Sequence, residues 1–260
     1  MNKLEKKMVS ILRDLGNNYG VTGVKASLEA EGLRFDELLR TKEIVLTAGV
    51  GLTVKLGGCE ALTDLRMTKT VGVNSIMAPM IESRFALEKF LSMAGTEYTE
   101  DEMDDIKLLI NIETVDGYEK FDQILRAENI AALKGIVLGR TDLANALKAS
   151  DVNAQELLII AKDLFQKAKT NSISCLVGGG ITPKSIPFLT ELGDLGLLDG
   201  FETRKVVFGD YHKAKSTLEA GIRLALQFEY HWYELKQNYY GALSQEDAAK
   251  MKSMAALLNP

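Results

Sequence analysis

The stretch LLINIETVDGYE, residues 108–119, is apolar until Asn111 and Glu113 interrupt it. In a β-strand, side chains two apart share a face, so these two point one way while Ile110 and Ile112 point the other. Asn and Glu are poor strand formers, and a buried unpaired carboxylate is costly. The face they share must therefore meet something polar. A second acid, Asp142, follows the next strand-like run in GIVLGRTDLANAL. Neighbouring strands lie about 4.8 Å apart, so Glu113 and Asp142 can reach one ion. Mg²⁺ typically takes one or two protein carboxylates and completes its shell with water and substrate oxygens. An α-keto acid offers two such oxygens in a five-membered chelate. The competing reading gives Asp142 to a helix N-cap and Glu113 to a salt bridge.

Further residues fit the same chemistry, each with a plainer alternative. Gly139 permits close backbone approach. The amides of Arg140, Thr141 and Asp142 then open a helix and can hold an anion; otherwise this is an ordinary strand-to-helix turn. Lys55 ends an apolar run in LTVKLGGCEA and could stabilise an enolate oxygen, or be a surface or paired lysine. Gly178–Gly180, before ITPKS, could cradle a phosphate or simply turn the chain. FETRK places Glu202 and Arg204 on one face at a strand end. Arg204 could bind a second anionic group of the substrate, unless it pairs with Glu202. The acid-rich segment AGTEYTEDEMDDI, 94–106, lacks calcium-loop spacing and reads as a solvated loop or helix start.

What must position these groups is an alternation of short apolar runs with helical patterns. Strands are expected at 21–29, 52–57, 75–80, 107–114, 135–139, 173–179 and 199–207. Helices are expected at 84–93, 115–127, 153–169 and 182–193. Such alternation implies parallel strands joined by right-handed crossovers. Strand-end polar residues recur at Lys55, Glu82, Glu113, Asp142 and Glu202. Chemistry in a (β/α)8 barrel sits at those ends. The reading is one α/β domain over 1–260, a TIM barrel. An N-terminal helix covers 1–18 and long C-terminal helices cover 211–260. An eighth strand is sought near 40–48 or at the N-terminus, and a doubly wound sheet is the alternative. Ser244 with Asp247 suggests a capping box opening a final helix, and the aromatic YHWYELKQNYY suggests core or subunit interface.

Composition narrows the function. The 260 residues are 46% hydrophobic and 26% charged, with a net charge of −5. That balance argues against a general nucleic-acid or membrane-surface binder. No apolar run of about 18 residues exists, so no membrane span is expected. The basic, amphipathic N-terminus reads as a helix rather than a signal peptide. Cys59 and Cys175 stand far apart, which suits a reduced, cytoplasmic setting. With two histidines, both late in the chain, a His-rich metal site or a Ser-His-Asp triad is not expected.

Together, INIET, GIVLGRTDL, VKLGGCEA and SIMAPMIES resemble the HpcH/HpaI aldolase and citrate lyase family, from about Gly23 to Arg204. This is a branch of the phosphoenolpyruvate/pyruvate-binding barrels. The resemblance implies a barrel and a divalent ion, Mg²⁺ with Mn²⁺ or Co²⁺ as alternatives. It also implies carbon–carbon cleavage or formation through the enolate of a pyruvate-like 2-oxo acid or an acyl thioester. Glu113 and Asp142 match the metal-binding acids, Asn111 a polar residue near the substrate carboxylate, and Gly139–Thr141 the turn whose amides hold it. Homo-oligomers that exchange C-terminal helices are also implied. Two positions depart from the pattern. Ala30 stands where the aldolases place a histidine, so Glu29, Glu31 or a water on the metal must take the proton. Lys55 stands where the family has an arginine, keeping the charge and losing the bidentate fork. Phosphoenolpyruvate-type phosphoryl chemistry, and a barrel that binds without catalysis, are the other readings.

Overall fold

A capping box starts the chain. The Asn2 side chain accepts from Glu5 N at 2.9 Å, and the Glu5 carboxylate accepts from Asn2 N at 2.6 Å. Helix α1 (Lys3–Asn18) follows, burying Met8, Leu12 and Leu15 at helical spacing. The computed structural model describes residues 1–258. Eight strands then close into a barrel in chain order. They are β1 (Gly23–Ser27), β2 (Gly51–Lys55), β3 (Ser75–Ala78), β4 (Lys107–Ile112), β5 (Leu133–Gly139), β6 (Ser174–Gly178), β7 (Gly200–Glu202) and β8 (Val206–Phe208).

Helices cover the outside: α2 (Phe35–Ala48), α3 (Leu62–Val71), α4 (Arg84–Glu97), α5 (Glu100–Asp105), α6 (Val115–Glu119) and α7 (Phe121–Ile124). They continue with α8 (Arg140–Leu147), α9 (Gln155–Thr170), α10 (Ile186–Asp194), α11 (Tyr211–Ala214) and α12 (Leu218–Leu258). One large apolar core lies between strands and helices. A smaller cluster of Met77, Leu109, Val137, Leu176 and Val207 fills the barrel itself. Above that filling, five strands close on a polar residue or glycine, Ser27, Lys55, Gly139, Gly178 and Glu202, and β4 adds Asn111 with Glu113 just beyond its end. This is the barrel end where such folds place their sites.

The expected α/β barrel is present, with differences of physical origin. The run at 199–207 is two strands rather than one. Thr203, Arg204 and Lys205 alone separate β7 from β8, and a parallel crossover needs a dozen or more residues. The chain therefore turns straight back, and β8 pairs antiparallel with both β7 and β1. The eighth strand is thus not at 40–48, which lies in α2, nor at the N-terminus, which is α1. The acidic 94–106 stretch ends α4 and forms α5, opened by a capping box at Thr99 and Glu102. Ser244 and Asp247 start no new helix: α12 runs unbroken for 41 residues, about 60 Å. Among the described residues no helix is long and apolar enough to cross a membrane.

One buried acid on α12 secures the reversed hairpin. Glu229 Oε1 accepts from Thr203 Oγ1 at 2.6 Å and from Lys205 N at 2.7 Å. The outer part of α12 is docked on α2 by Glu37, which accepts from Tyr240 Oη at 2.7 Å and pairs with Lys236 at 2.8 Å. Removing Glu229 would orphan the buried Lys205 amide and leave the Thr203 hydroxyl to donate only a long bond to Val206 O at 3.4 Å. Glu229→Ala should cost about 2–4 kcal/mol in urea unfolding; a loss below about 1 kcal/mol would show that the hairpin holds itself.

Candidate active site at the barrel mouth

The C-terminal ends of the strands surround an open cavity of about 640 Å³. Strand alternation aims Lys25 and Ser27 of β1, Lys55 of β2, Asn111 of β4 and Glu202 of β7 into it. Glu113 follows β4 and is 2% exposed. Its carboxylate accepts from Asn111 Nδ2 at 2.7 Å, from Met80 N at 3.0 Å, and from Lys55 Nζ at 3.2 and 3.3 Å. To present that amide Met80 takes a φ of 46°, a left-handed conformation uncommon for a non-glycine residue. Lys55 Nζ also lies 2.9 Å from Glu29 Oε2. Burial works against the Lys55 ammonium, but the charges of Glu113 and Glu29 outweigh it, and its pKa is raised. Lys55 is accordingly a fixed cation at neutral pH, not an amine free to attack a carbonyl.

Gly139 makes room for Glu113 beside the start of the helix that carries Asp142. A Cβ on Gly139 would sit 2.5 Å from Glu113 Cβ and 2.6 Å from Glu113 Oε2, so only glycine fits there. Gly139 is the N-cap of α8, and Asp142 lies in the first turn of that helix. Burial pushes the Asp142 carboxyl up, and the neighbouring charges of Glu113 and Glu29 push it further, against the pull of Lys55. At Gly179, φ is +75°, and the place a Cβ would occupy is 2.7 Å from Arg140 N, 2.6 Å from Thr141 N and 3.0 Å from Thr141 Oγ1. A side chain there would collide with the start of α8, so the loop after β6 packs against these amides only because residue 179 is glycine.

Of the residues singled out in the sequence, Lys55, Glu29, Glu31, Asn111, Glu113, Gly139, Thr141, Asp142 and Arg204 all line this one cavity. Arg140 does not: its side chain is fully buried behind α8, where burial brings the guanidinium down to about 10. Only its backbone amide belongs to the mouth. Glu202 is not paired with Arg204; it forms an ion pair with Lys25, and Arg204 is left exposed at the rim. Glu31 is engaged by the buried Lys205 at 2.6 Å. Glu82 lies away from the cavity lining. Sequence reasoning missed Lys25, Ser27, Lys205 and Glu229. The first two were legible, because Lys25 and Ser27 alternate with Val24 and Ala26 as Asn111 and Glu113 do with their neighbours. Glu229 carries no local signal, since its partners are 24 and 26 residues away in sequence.

The mouth's charge bears on what it can hold. Glu29, Glu31, Glu113, Asp142, Glu202 and Glu229 face Lys25, Lys55, Arg204 and Lys205, an excess of two negative charges. Among the described residues no three His, Cys, Asp or Glu side chains gather closely enough to enclose an ion by themselves. A pair of carboxylates with open positions is what Mg²⁺ ordinarily accepts. Glu113 and Asp142 fit that role: the Asp142 carboxyl is pushed up first by burial and then by the charges of Glu113 and Glu29, and a cation would offset all three.

An eight-stranded α/β barrel with charged groups converging on its C-terminal mouth defines the class. The HpcH/HpaI aldolase/citrate lyase family model matches residues 52–179, from β2 to the turn after β6, and this stretch of the chain belongs to that family. Among solved structures, the HpcH/HpaI aldolase from Desulfitobacterium hafniense DCB-2 is 16% identical with a TM-score of 0.61, over 74% of this chain and 80% of that one. The citrate synthase SbnG is also 16% identical at a TM-score of 0.61, over 85% and 89%. An HpcH/HpaI aldolase/citrate lyase family protein from Burkholderia cenocepacia J2315 is 13% identical at 0.60, over 86% and 89%. At these identities they show the shared fold. No curated protein matches the sequence.

Two outcomes are expected. In Gly139→Ala the methyl group must displace Glu113, costing about 1–3 kcal/mol and weakening Mg²⁺ binding in calorimetry at least tenfold; unchanged affinity would mean Glu113 is not a ligand. Asp142 has a folded-state pKa above its unfolded value. The stability gained by protonating it is fully present below about pH 4 and is lost as pH rises through the folded pKa. The charged group thus opposes folding at neutral pH. Asp142→Asn should raise the metal-free Tm by about 2 °C at pH 7, with the gain fading toward pH 4; a lower Tm at pH 7 would show that Asp142 serves the fold.

Proposed function

We propose that the protein is a divalent-metal-dependent carbon–carbon lyase or aldolase acting on an acidic 2-oxo acid. The supporting observation is the convergence of Glu113 and Asp142, from successive β/α units, beside the buried cation Lys55. The two acids would hold Mg²⁺, or Mn²⁺ or Co²⁺, since oxygen ligands suit several hard cations. Bound there, the ion would supply Lewis-acid polarisation of the 2-oxo carbonyl. The substrate carboxylate is assigned to the turn Gly139–Thr141, which lines the mouth and opens α8 with its free amides. Asn111 fixes Glu113 from the side. Arg204, exposed at the rim, is placed for an anionic group at the far end of the substrate.

In the cleavage direction a base removes the proton of the hydroxyl two carbons from the keto group. The bond between the hydroxyl-bearing carbon and the carbon next to the keto group breaks, an aldehyde leaves, the electron pair passes to the enolate, and return of the proton to that carbon gives the 2-oxo acid product. Lys55 neutralises the enolate oxygen. Glu29 and Glu31 line the cavity, each paired with a lysine; Glu29 is the stronger candidate for the base because it shares its lysine, Lys55, with Glu113 while Lys205 pairs with Glu31. A cytoplasmic homo-oligomer suits the exposed outer half of α12, where Met251, Met254, Leu257 and Leu258 stand in solvent. A second reading has one observation in its favour. Lys55 already bridges Glu29 and Glu113, so the barrel could bind an acidic ligand without turning it over.

A mixture of 4-hydroxy-2-oxo acids assayed for released pyruvate tests the leading reading. Turnover should require Mg²⁺ and stop with EDTA. In Glu113→Ala it should fall at least about 100-fold with the circular dichroism spectrum unchanged; full metal-dependent turnover in that variant would refute the assignment.

A further inference from the structure

Arg140 is 0% exposed, the largest fully buried side chain in the protein. Among the described residues no carboxylate is in direct contact with it; the charge of Asp151 acts on it from beyond ion-pair distance. Its five N–H groups go instead to five neutral acceptors. Nε donates to Gly178 O at 3.1 Å. Nη1 donates to Val152 O at 3.2 Å and Asn153 Oδ1 at 2.9 Å. Nη2 donates to Gly179 O at 2.8 Å and Ser185 Oγ at 3.3 Å. The guanidinium carbon lies 4.7 Å from the centroid of the Phe188 ring. A buried cation without a contacting counter-ion is expensive, and packing alone would be served by an apolar residue.

What the side chain joins suggests why it is kept. Arg140 is the first residue of α8, and its guanidinium ties that helix to the loop after β6 and to the chain at 152–153. Two of its acceptors are the carbonyls of Gly178 and Gly179. Fastened this way, the left-handed Gly179 is held against the first turn of α8, so the Gly178–Gly180 loop and the Thr141–Asp142 turn line the mouth as one rigid wall. The fork geometry matters, because a lysine has three donors on one point and cannot span five divergent acceptors.

We propose that Arg140 is a positioning residue: its buried guanidinium clamps the Gly178–Gly180 loop onto the first turn of α8 and so sets the affinity of the mouth for the substrate carboxylate. This rests on the reading of the mouth as a 2-oxo acid site. The test is calorimetric titration of the full chain with Mg²⁺ alone and then with oxalate in saturating Mg²⁺. Arg140→Lys should bind Mg²⁺ within twofold of the unaltered protein but oxalate at least tenfold more weakly. In Arg140→Ala, millimolar guanidinium chloride should restore part of the oxalate affinity. Folded Arg140→Lys with unchanged oxalate affinity, or an Arg140→Ala loss that guanidinium does not relieve, would overturn the proposal. If both variants fail to fold, Asn153→Ala removes one acceptor and keeps the arginine. A two- to fivefold loss of oxalate affinity with Mg²⁺ binding intact supports the clamp, and no loss overturns it. An unaltered protein that binds Mg²⁺ but no oxalate defeats the 2-oxo acid reading itself, and the clamp's purpose with it.

Discussion

A lysine ammonium held between two carboxylates governs this molecule. Lys55 lies 2.9 Å from Glu29 and 3.2 Å from Glu113, with a side chain 10% exposed. Ions this deep are stable only when paired and hydrogen-bonded, so the surrounding chain is arranged to satisfy them. Asn111 and the left-handed Met80 amide complete Glu113, and Gly139 stays bare to make room for it. Asp142 remains outside this neutralising set with its carboxyl pushed up, and the mouth keeps a surplus of negative charge. That surplus suits a dication and makes an acidic substrate acceptable only in its company.

The same logic explains the barrel's irregular closure. A helix between β7 and β8 would carry the chain away from the mouth. The three-residue hairpin keeps Glu202, Thr203, Arg204 and Lys205 at the rim. Lys25 then meets Glu202, Lys205 meets Glu31, and Glu229 of α12 holds the turn from behind. Beside the hairpin, Arg140 does for the α8 and β6 turns what Glu229 does for β7 and β8. Each is a buried charge spent on backbone and neutral groups at the edge of the cavity.

Much of this was readable from the sequence, and the reason is periodicity. Asn111 and Glu113 alternate with apolar neighbours, so they announced an inward face, and GRTDL after an apolar run announced a helix start with an acid in its first turn. Placement of both acids at one mouth followed from the order of strands. The reversed β8 was hidden because two three-residue strands and a three-residue turn look like one extended run. The role of Arg140 was hidden because nothing local tells a side chain at a helix start to turn inward. Its acceptors lie between 12 and 45 residues away in sequence. The unbroken α12 overrode a serine and an aspartate that suit a cap equally well, since both are compatible with an exposed helical face.

The decisive measurement is proton exchange at the methyl group of pyruvate in D₂O, followed by ¹H NMR with the unaltered protein and Mg²⁺. An enolate formed beside Lys55 and the two acids predicts loss of the methyl signal that depends on both protein and Mg²⁺ and stops on chelation. A methyl signal that persists while calorimetry shows Mg²⁺ bound would contradict enolate chemistry and leave a charged barrel that binds without catalysis.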